Sequence, residues 1–292
     1  MSKTLIVQGG GFRTGFTAGI LDSFIALEFY PFDRIIGISG GAISASYFVS
    51  RQFGSCIKAM RALAHDPEFV NPKYLFHDRG YMNIDHLRLV ANEMVPFDLS
   101  NALKTLKKTA VYFVATNRLT GKPIYLSPNE SDWIDIVVAS STLPFVTKGT
   151  QKVRELDLMD GGWSDPIPIE WAIDQGADDI LIIRTNDINQ KIVQSWPDYF
   201  GSIYFRNNPD LSNCFARTHD VYNKTIDLLC NASEKVIIDQ IWPEEGLKCG
   251  SYSYSIDRIN SDYRYGLQVG IEFVRTKNEE SSCQQIHDKL AL

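Results

Sequence analysis

The first half of the chain alternates two hydrophobic patterns. Short apolar runs at 4–8 (TLIVQ) and 34–39 (RIIGIS) are typical of strands. The segments that follow them, 14–29 and 40–53, carry apolar residues at helical spacing. Strands and helices that alternate in this order predict a βαβ unit, and therefore a parallel sheet with helices on its faces.

The alternation continues to about residue 190. We expect residues 131–142 to form a buried helix that ends before Pro144. The turn NRLTGK at 117–122 predicts an antiparallel hairpin between two of the later strands. These later strands are predicted at 111–116, 123–127, 153–160 and 178–185.

Beyond about residue 190 the sequence becomes rich in aromatic residues and mostly helical, with helices expected at 210–232 and 259–276. No repeat, low-complexity tract or Pro/Ser-rich linker separates this region from the first. We therefore predict an α/β fold with a mostly parallel central sheet flanked by helices. Residues 1–190 would form a catalytic domain, and residues 191–292 a largely helical C-terminal extension packed on the core.

The composition is that of an ordinary globular protein. Of the 292 residues, 44% are hydrophobic and 22% are charged, so a core can form without support from disulfides or a metal. The net charge of −6 argues against a nucleic-acid partner, which would require a basic face. It also removes any overall attraction to anionic lipid and leaves only a local basic patch to supply it.

The cysteines and the N-terminal segment bear on metal sites and on location. The five cysteines include no C-x-x-C pair and no zinc-like spacing with histidine, so we predict free thiols and no metal site. The N-terminal residues enter a strand without a signal-peptide pattern, and no window approaches 18 consecutive apolar residues. These features predict a cytoplasmic protein. A transient contact with a membrane surface stays open, and the sequence makes no prediction of oligomeric state.

Three glycine clusters mark the candidate site. Each follows a predicted strand: GGG at 9–11, GISGG at 37–41 and DGG at 160–162. Sites in open parallel sheets form where the carboxyl ends of strands meet, so the clusters are expected to converge on one crevice. Glycine there allows a ligand to approach the backbone closely, and a helix that begins there favours negative charge.

Each cluster alone has more than one interpretation. Ser39 in GISGG fits the G-x-S-x-G pattern of a nucleophile on a strained turn, but glycines that serve only a tight turn explain it equally well. A dinucleotide-binding loop is disfavoured, because the G-x-G-x-x-G spacing that begins at Gly9 fails at Thr14. No G-x-x-x-x-G-K-[ST] phosphate-binding loop occurs anywhere in the sequence.

Four motifs in order give a more specific indication. They are GGGFR at 9–13, GISGG at 37–41, ASSTLPF at 139–145 and DGGWSDPIP at 160–168. In this order they resemble the patatin-like phospholipase family, and the resemblance covers about residues 4–190. Any one of the motifs is weak evidence, whereas the set is specific.

The resemblance implies an activity and a site. Members of that family hydrolyse acyl esters with a Ser–Asp dyad, which by position implies Ser39 as nucleophile and Asp160 as base. The glycine-rich loop supplies the oxyanion hole, which implies the backbone amides of Gly10 and Gly11. The substrate would be a lipid or another acyl ester, with no metal and no organic cofactor. One departure is Thr14, where many members have glycine.

The chemistry of the residues is consistent with this scheme. A serine hydroxyl is a weak nucleophile and needs a base within about 2.6–3.2 Å. An aspartate with a pKa of about 3.9 is a poor base in water, so Asp160 should be partly desolvated. The amide of Gly40, directly after Ser39, would be a third donor to the oxyanion.

Several alternatives stay open. Arg13 either binds a phosphate or carboxylate of the substrate or forms a salt bridge that orders the glycine loop. A histidine triad would recruit His219 or His287, which follow Asp160 in the order of the α/β-hydrolases. The same acyl-enzyme could pass its acyl group to another alcohol, as in an acyltransferase. A lipid-binding module that keeps the fold without catalysis is a further alternative.

Overall fold

The computed structural model describes residues 2–71, 73, 80–230 and 236–290, with residues 281 and 283–290 described by their backbone alone. One mixed sheet forms the centre of the described chain. Its eight strands are β1 (Lys3–Val7), β2 (Arg34–Ile38), β3 (Ala110–Asn117), β4 (Pro123–Leu126), β5 (Gln151–Val153), β6 (Leu156–Asp160), β7 (Asp179–Ile183) and β8 (Ile237–Ile241).

The sheet is mostly parallel. The strand order is β5-β6-β3-β2-β1-β7-β8, with β4 also paired to β3. The strands β3, β2, β1, β7 and β8 run parallel, whereas β4 and β6 pair antiparallel with β3 and β5 pairs antiparallel with β6. The predicted βαβ unit and the predicted fold class are therefore confirmed.

Helices cover both faces of this sheet. They are α1 (Thr14–Ala26), α2 (Gly40–Val49), α3 (Ser55–His65), α4 (His86–Leu89), α5 (Leu99–Leu106), α6 (Trp133–Ser140), α7 (Ile169–Asp174), α8 (Trp196–Tyr204), α9 (Pro209–Cys230) and α10 (Ile256–Leu290). Short 3₁₀ turns at Gly11–Arg13 and Gly161–Trp163 follow β1 and β6, and a π-helical turn at Val90–Met94 follows α4.

The continuous apolar runs of the inner strands follow from burial on both faces. In β1, Leu5 and Val7 pack into the cluster that contains Phe16 of α1, whereas Ile6 packs on the opposite face with Ile226 of α9. Successive side chains of a strand point to opposite faces, so both sets must be apolar when helices cover both sides.

The predicted strand at 153–160 is wrong in one respect. A turn at Arg154 and Glu155, with φ angles of +48° and +64°, divides it into the antiparallel pair β5 and β6. Both residues are charged and exposed, so the alternating pattern was interrupted by a turn that lacks glycine and proline signals.

The C-terminal region is largely helical, as predicted, and it also adds β8 to the edge of the sheet beside β7. The long helix α10 packs directly along α1. A Cβ on Gly19 would lie 2.1 Å from the carbonyl oxygen of Tyr263, so this close crossing requires glycine. A domain boundary at residue 190 stays a prediction.

Within the described residues, none of the helices combines the length and the apolar character needed to cross a membrane. The cytoplasmic location inferred from the sequence stays a prediction. No cluster of three or more histidine, cysteine, aspartate or glutamate side chains that could hold a metal ion occurs in that same part of the chain.

Candidate active site

Ser39 occupies a strained turn between β2 and α2. Its backbone has φ +54° and ψ −129°, a conformation that residues other than glycine seldom adopt. The helix α2 begins so close to the end of β1 that a Cβ on Gly41 would lie 2.2 Å from the carbonyl oxygen of Val7. Close packing therefore explains the glycine at position 41, as the steric interpretation of GISGG expected. Ser39 itself is half-buried at the turn, and its role as nucleophile stays a prediction.

A serine from the third motif holds this turn. The Ser39 amide donates a hydrogen bond to Oγ of Ser140 at 2.9 Å, and this hydroxyl in turn donates to the carbonyl oxygen of Val114 in β3 at 2.6 Å. The strained backbone of Ser39 is thus fixed by α6 and β3 as well as by its own neighbours.

Strand register brings Asp160 to Ser39. On β3, Val114 lies opposite Ile38, the residue before Ser39, and the next residue, Ala115, lies opposite Asp160. Two further hydrogen bonds fix the Asp160 backbone at the end of β6. Its amide donates to the carbonyl oxygen of Thr142 at 2.8 Å, and the Thr116 hydroxyl donates to its carbonyl oxygen at 2.7 Å.

The Asp160 carboxyl is buried and only partly satisfied. It is 3% exposed, and its Oδ1 accepts a hydrogen bond from the Gly162 amide at 2.8 Å. Its Oδ2 is buried without a hydrogen-bond partner among the described residues. Burial raises the pKa of Asp160 to about 7, although the nearby Ser39 hydroxyl and the Gly162 amide both favour the carboxylate.

The Ser39 hydroxyl and Asp160 do not form a hydrogen bond of standard geometry in this structure. The hydroxyl is nevertheless close enough to lower the pKa of the carboxyl. Catalytic hydrogen bonds are often long in the absence of substrate and shorten when it binds. The arrangement therefore provides a serine hydroxyl beside a buried, titratable acceptor.

The glycine loop presents free backbone donors. Gly10 and Gly11 have positive φ angles of +155° and +56°. Their amides, like that of Gly40, donate to no acceptor in the part of the chain that the structure describes. Two hydrogen bonds that involve other groups of the loop hold it in place. Thr185 Oγ1 donates to the Gly9 carbonyl at 2.7 Å, and the Phe12 amide donates to the Ser251 carbonyl at 3.1 Å.

Thr14, where the sequence departs from many family members, closes this loop. Its hydroxyl donates to the carbonyl oxygen of Gly11 at 2.6 Å, and its side chain is buried beside Gly40. The threonine therefore adds a hydrogen bond to the start of α1 and leaves the amides of Gly11 and Gly40 free.

Arg13 forms no ion pair with any described carboxylate, so the salt bridge considered from the sequence is absent. Its Nη1 donates instead to Oδ1 of Asn186, whose Nδ2 donates to the Tyr222 hydroxyl at 3.0 Å. The Nε atom of Arg13 is buried without a partner in the described chain. Burial lowers the pKa of this guanidinium, which is the signature of a cation short of compensating charge.

All six residues predicted for the site line one cavity of about 670 Å³: Gly10, Gly11, Arg13, Ser39, Gly40 and Asp160. One side of it is apolar and is formed by α2, α3 and the segment leading to α4. The other side is mixed and is formed by residues 186–198, α9 and the segment at 251–252. The apolar side includes Ile43, Ala59, Met60, Leu63, Phe69 and Leu87.

The histidine alternative gains no support from the geometry. His219 lies on α9 with its Nε2 3.3 Å from Asp220, and no described histidine side chain lines the cavity. His287 lies in α10, but its side chain is outside the described part of the chain, as is all of His77.

Sequence reasoning missed the residues that support the site. Ser140 lies within the motif at 139–145, but a serine near the end of a predicted helix carries no signal for a supporting role. The other supporting residues lie far along the chain from the groups they hold, which no local pattern reveals. They are Thr185, Asn186, Tyr222 and Ser251.

Comparison with known proteins agrees with the motifs. A family model described as patatin-like phospholipase matches residues 5–173, more than half of the chain. The chain therefore belongs to the patatin-like phospholipase family, and the resemblance inferred from the sequence is confirmed. A second model, for a domain of unknown function (DUF6363), matches residues 208–280.

One curated relative and one solved structure match nearly the whole chain. The "Uncharacterized protein YjjU" of Escherichia coli (strain K12) is 27% identical over 277 residues, which is 93% of this chain and 77% of that protein. The crystal structure of VipD from Legionella pneumophila is similar with a TM-score of 0.49 and 12% identity, and the match covers 94% of this chain and 67% of that one.

Proposed function

We propose that this protein is a serine lipid acyl hydrolase of the phospholipase A or carboxylesterase type, which uses Ser39 and Asp160 as a catalytic dyad. The observation that carries the proposal is the buried Oδ2 of Asp160, which has no hydrogen-bond partner among the described residues and lies beside the strained Ser39. An orphaned carboxylate oxygen costs folding free energy and is retained where it has a chemical task.

In the first step the ionised Asp160 accepts the proton of the Ser39 hydroxyl as Oγ attacks the ester carbonyl. Because burial raises the pKa of Asp160 to about 7, the carboxylate is a stronger base than an ordinary aspartate and is still ionised in half of the molecules near neutral pH. The carbonyl oxygen becomes an oxyanion. The free amides of Gly10, Gly11 and Gly40 would bind it, each contributing about 3–4 kcal/mol when well aligned.

The protonated Asp160 then donates its proton to the departing alcohol, and an acyl-Ser39 ester remains. In the second step Asp160 removes a proton from water, which attacks that ester. Asp160 then returns this proton to Ser39 Oγ as the bond to the acyl group breaks and the fatty acid leaves. Each carboxyl proton is returned within one cycle, so the dyad needs no third member. An acyltransferase would differ only in having another alcohol enter at this second step.

The cavity fits an acyl ester with a long apolar chain. Its apolar side, on α3 and around Phe69, would receive the chain, while Arg13, which binds Asn186 of the mixed side, would bind an anionic group of the substrate. A guanidinium without a carboxylate partner suits phosphate, which it can bind with two parallel hydrogen bonds. Phospholipids are therefore the favoured substrate class.

The test is a screen of the purified protein against p-nitrophenyl esters of increasing chain length and against phospholipids, with Ser39→Ala as the control. We expect hydrolysis by the native chain, none by the variant, and labelling by a fluorophosphonate probe at Ser39 only. Labelling at Ser44 or Ser164 would overturn the assignment of the nucleophile. Lipid binding without turnover would favour the non-catalytic module.

A further inference from the structure

The helix α8 is built with its apolar side outward. Its five large apolar residues are exposed: Trp196, Tyr199, Phe200, Ile203 and Tyr204, with Trp196 the most exposed at 74%. By contrast, its only acidic residue, Asp198, is 5% exposed. An ordinary surface helix has the reverse arrangement. We call these five residues the α8 face.

This orientation is fixed by specific contacts. Ser195 and Asp198 form a reciprocal capping pair, with the Asp198 carboxylate accepting from the Ser195 amide at 2.9 Å. Gly201 lies against the ring of Phe215 on α9, where a Cβ would come within 2.3 Å of the ring. The helix therefore cannot rotate to bury its aromatic residues without losing its cap and its glycine contact.

The α8 face adjoins the mouth of the cavity. Most residues that line the cavity are buried or half-buried, and the exposed ones are Gln190, Lys191, Val193, Ser195 and Tyr252. Four of these five directly precede α8 in sequence. Asp198 lines the cavity from the inner side of the first turn of α8, while Trp196 and Phe200 project from its outer side.

Two exposed arginines lie near the C-terminal end of the α8 face. The chain as a whole has a net charge of −6. Beside the face, however, Arg206 follows α8, and Arg118 stands 5.9 Å from the ring of Phe205. Both arginines are exposed, and neither forms an ion pair with a described residue.

We propose that the α8 face is a docking surface for a lipid bilayer, which places the mouth of the cavity against the membrane. The inference rests on the proposed lipid acyl hydrolase activity for its purpose, because the substrate would then enter from the bilayer. Tryptophan and tyrosine favour the membrane interface, where the rings meet acyl chains and the polar groups stay hydrated. The two arginines would meet lipid phosphates.

The experiment measures binding in the Ser39→Ala chain, so that vesicles stay intact and the result does not depend on catalysis. Co-sedimentation with phosphatidylcholine vesicles is compared for Phe200→Asp and for Phe53→Asp. The second variant is a matched control, because Phe53 is 54% exposed against 57% for Phe200 and follows the far end of α2. We expect Phe200→Asp to lower the partition coefficient at least about tenfold and Phe53→Asp to leave it within about twofold.

Tryptophan fluorescence supplies a second readout. The other four tryptophans are buried or half-buried, so Trp196 should account for a blue shift of emission when vesicles are added, and Trp196→Phe should remove that shift. Adding phosphatidylglycerol should strengthen binding, and 0.5 M salt should weaken only this added part. Melting curves exclude variants that fail to fold.

Three results would overturn the inference. The first is that Phe200→Asp and Phe53→Asp weaken vesicle binding equally. The second is that high salt abolishes vesicle binding entirely. The third is the absence of vesicle binding together with a dimer that Phe200→Asp dissociates, which would make the α8 face a contact between two copies of the chain. If the native chain hydrolyses no ester, that result would instead count against the proposed function alone.

Discussion

Apart from its apolar side on α2 and α3, the cavity has two walls that are built in different ways. One wall consists of turns at the carboxyl ends of β1, β2 and β6, and it carries the proposed nucleophile Ser39, the buried carboxyl of Asp160 and the amides of the glycine loop. The other wall comes from residues 186–198, α9 and the segment at 251–252, and it contributes side chains that hold or surround the first. The reacting groups therefore depend on local backbone geometry, and their surroundings depend on distant parts of the chain.

If the reacting groups belong to the first wall alone, removing the base should have the largest effect. Asp160→Asn keeps the shape of the side chain but cannot accept the Ser39 proton. We expect kcat for a soluble ester to fall by at least about a thousandfold, as it should for Ser39→Ala.

The control change is His219→Ala on α9, whose side chain does not line the cavity, and it should leave kcat within a few-fold. Steady-state assays with p-nitrophenyl butyrate measure all three variants. A His219 variant as inactive as Asp160→Asn would make the enzyme a triad hydrolase and place part of its chemistry on the second wall.

The raised pKa of Asp160 sets the next effect. If Asp160 is the base, activity requires its carboxylate, so kcat/KM should rise about tenfold per pH unit below pH 7 and level off above it. Stability should change in the opposite direction. The folded pKa, about 7, lies above the unfolded value, so the native state binds the extra proton and the free energy of unfolding falls as pH rises from about 4 to 7.

Asp160→Asn removes this cost of ionising a buried group. The Tm of the Asn variant minus the Tm of the native chain should therefore be several degrees larger at pH 8 than at pH 5. Melting curves at the two pH values are the measurement. An equal change in Tm at both would mean that Asp160 titrates as an ordinary aspartate.

Arg13 lies where the two walls meet, since it follows the glycine loop but binds Asn186. Lysine cannot reproduce the paired hydrogen bonds of a guanidinium to phosphate. We expect Arg13→Lys to lower kcat/KM for phospholipids by about 10- to 100-fold, or about 1.4–2.7 kcal/mol, and to affect neutral p-nitrophenyl butyrate much less. Equal losses on both substrates would make Arg13 a support of the glycine loop instead.

The apolar side of the cavity should control chain length. Ala59 of α3 lines the cavity although it is only 2% exposed, so a larger side chain there would occupy space meant for substrate. Ala59→Leu should lower kcat/KM for long-chain p-nitrophenyl esters by about tenfold relative to the butyrate ester. A series of chain lengths provides the measurement, and a uniform loss across the series would place the acyl chain elsewhere.

The contrast between the walls also explains what the sequence could predict. Glycine clusters after apolar strands are local signals, so a parallel sheet with one shared crevice could be predicted from them. The resemblance of four ordered motifs to the patatin-like family implied Ser39 and Asp160, and both residues line one cavity. The contact of Arg13 with Asn186 could not be predicted, because 173 positions separate the two residues. The strand β8 was missed, since its residues are mostly half-buried at the edge of the sheet and lack the continuous apolar run of β1.

The smallest expected effect concerns Tyr222, and it tests whether this residue of the second wall influences the substrate only by holding Asn186 and, through it, Arg13. The Tyr222 hydroxyl accepts hydrogen bonds from Asn186 and from Arg184, each at 3.0 Å. Arg184 keeps three other acceptors: the carbonyls of Ile188 and Asp187 and the side chain of Gln240. Tyr222→Phe should therefore leave Arg184 in place and release chiefly Asn186, at a cost in stability of about 1 kcal/mol.

With Asn186 less well held, Arg13 should be less well placed. We expect Tyr222→Phe to lower kcat/KM for phospholipids by about threefold and to spare the butyrate ester, as a weaker form of the Arg13→Lys effect. If the tyrosine acts only by positioning Arg13, the double variant should lose no more than Arg13→Lys alone, because the two residues belong to one hydrogen-bonded chain. Fully additive losses would show that Tyr222, which also lines the cavity, contacts the substrate itself.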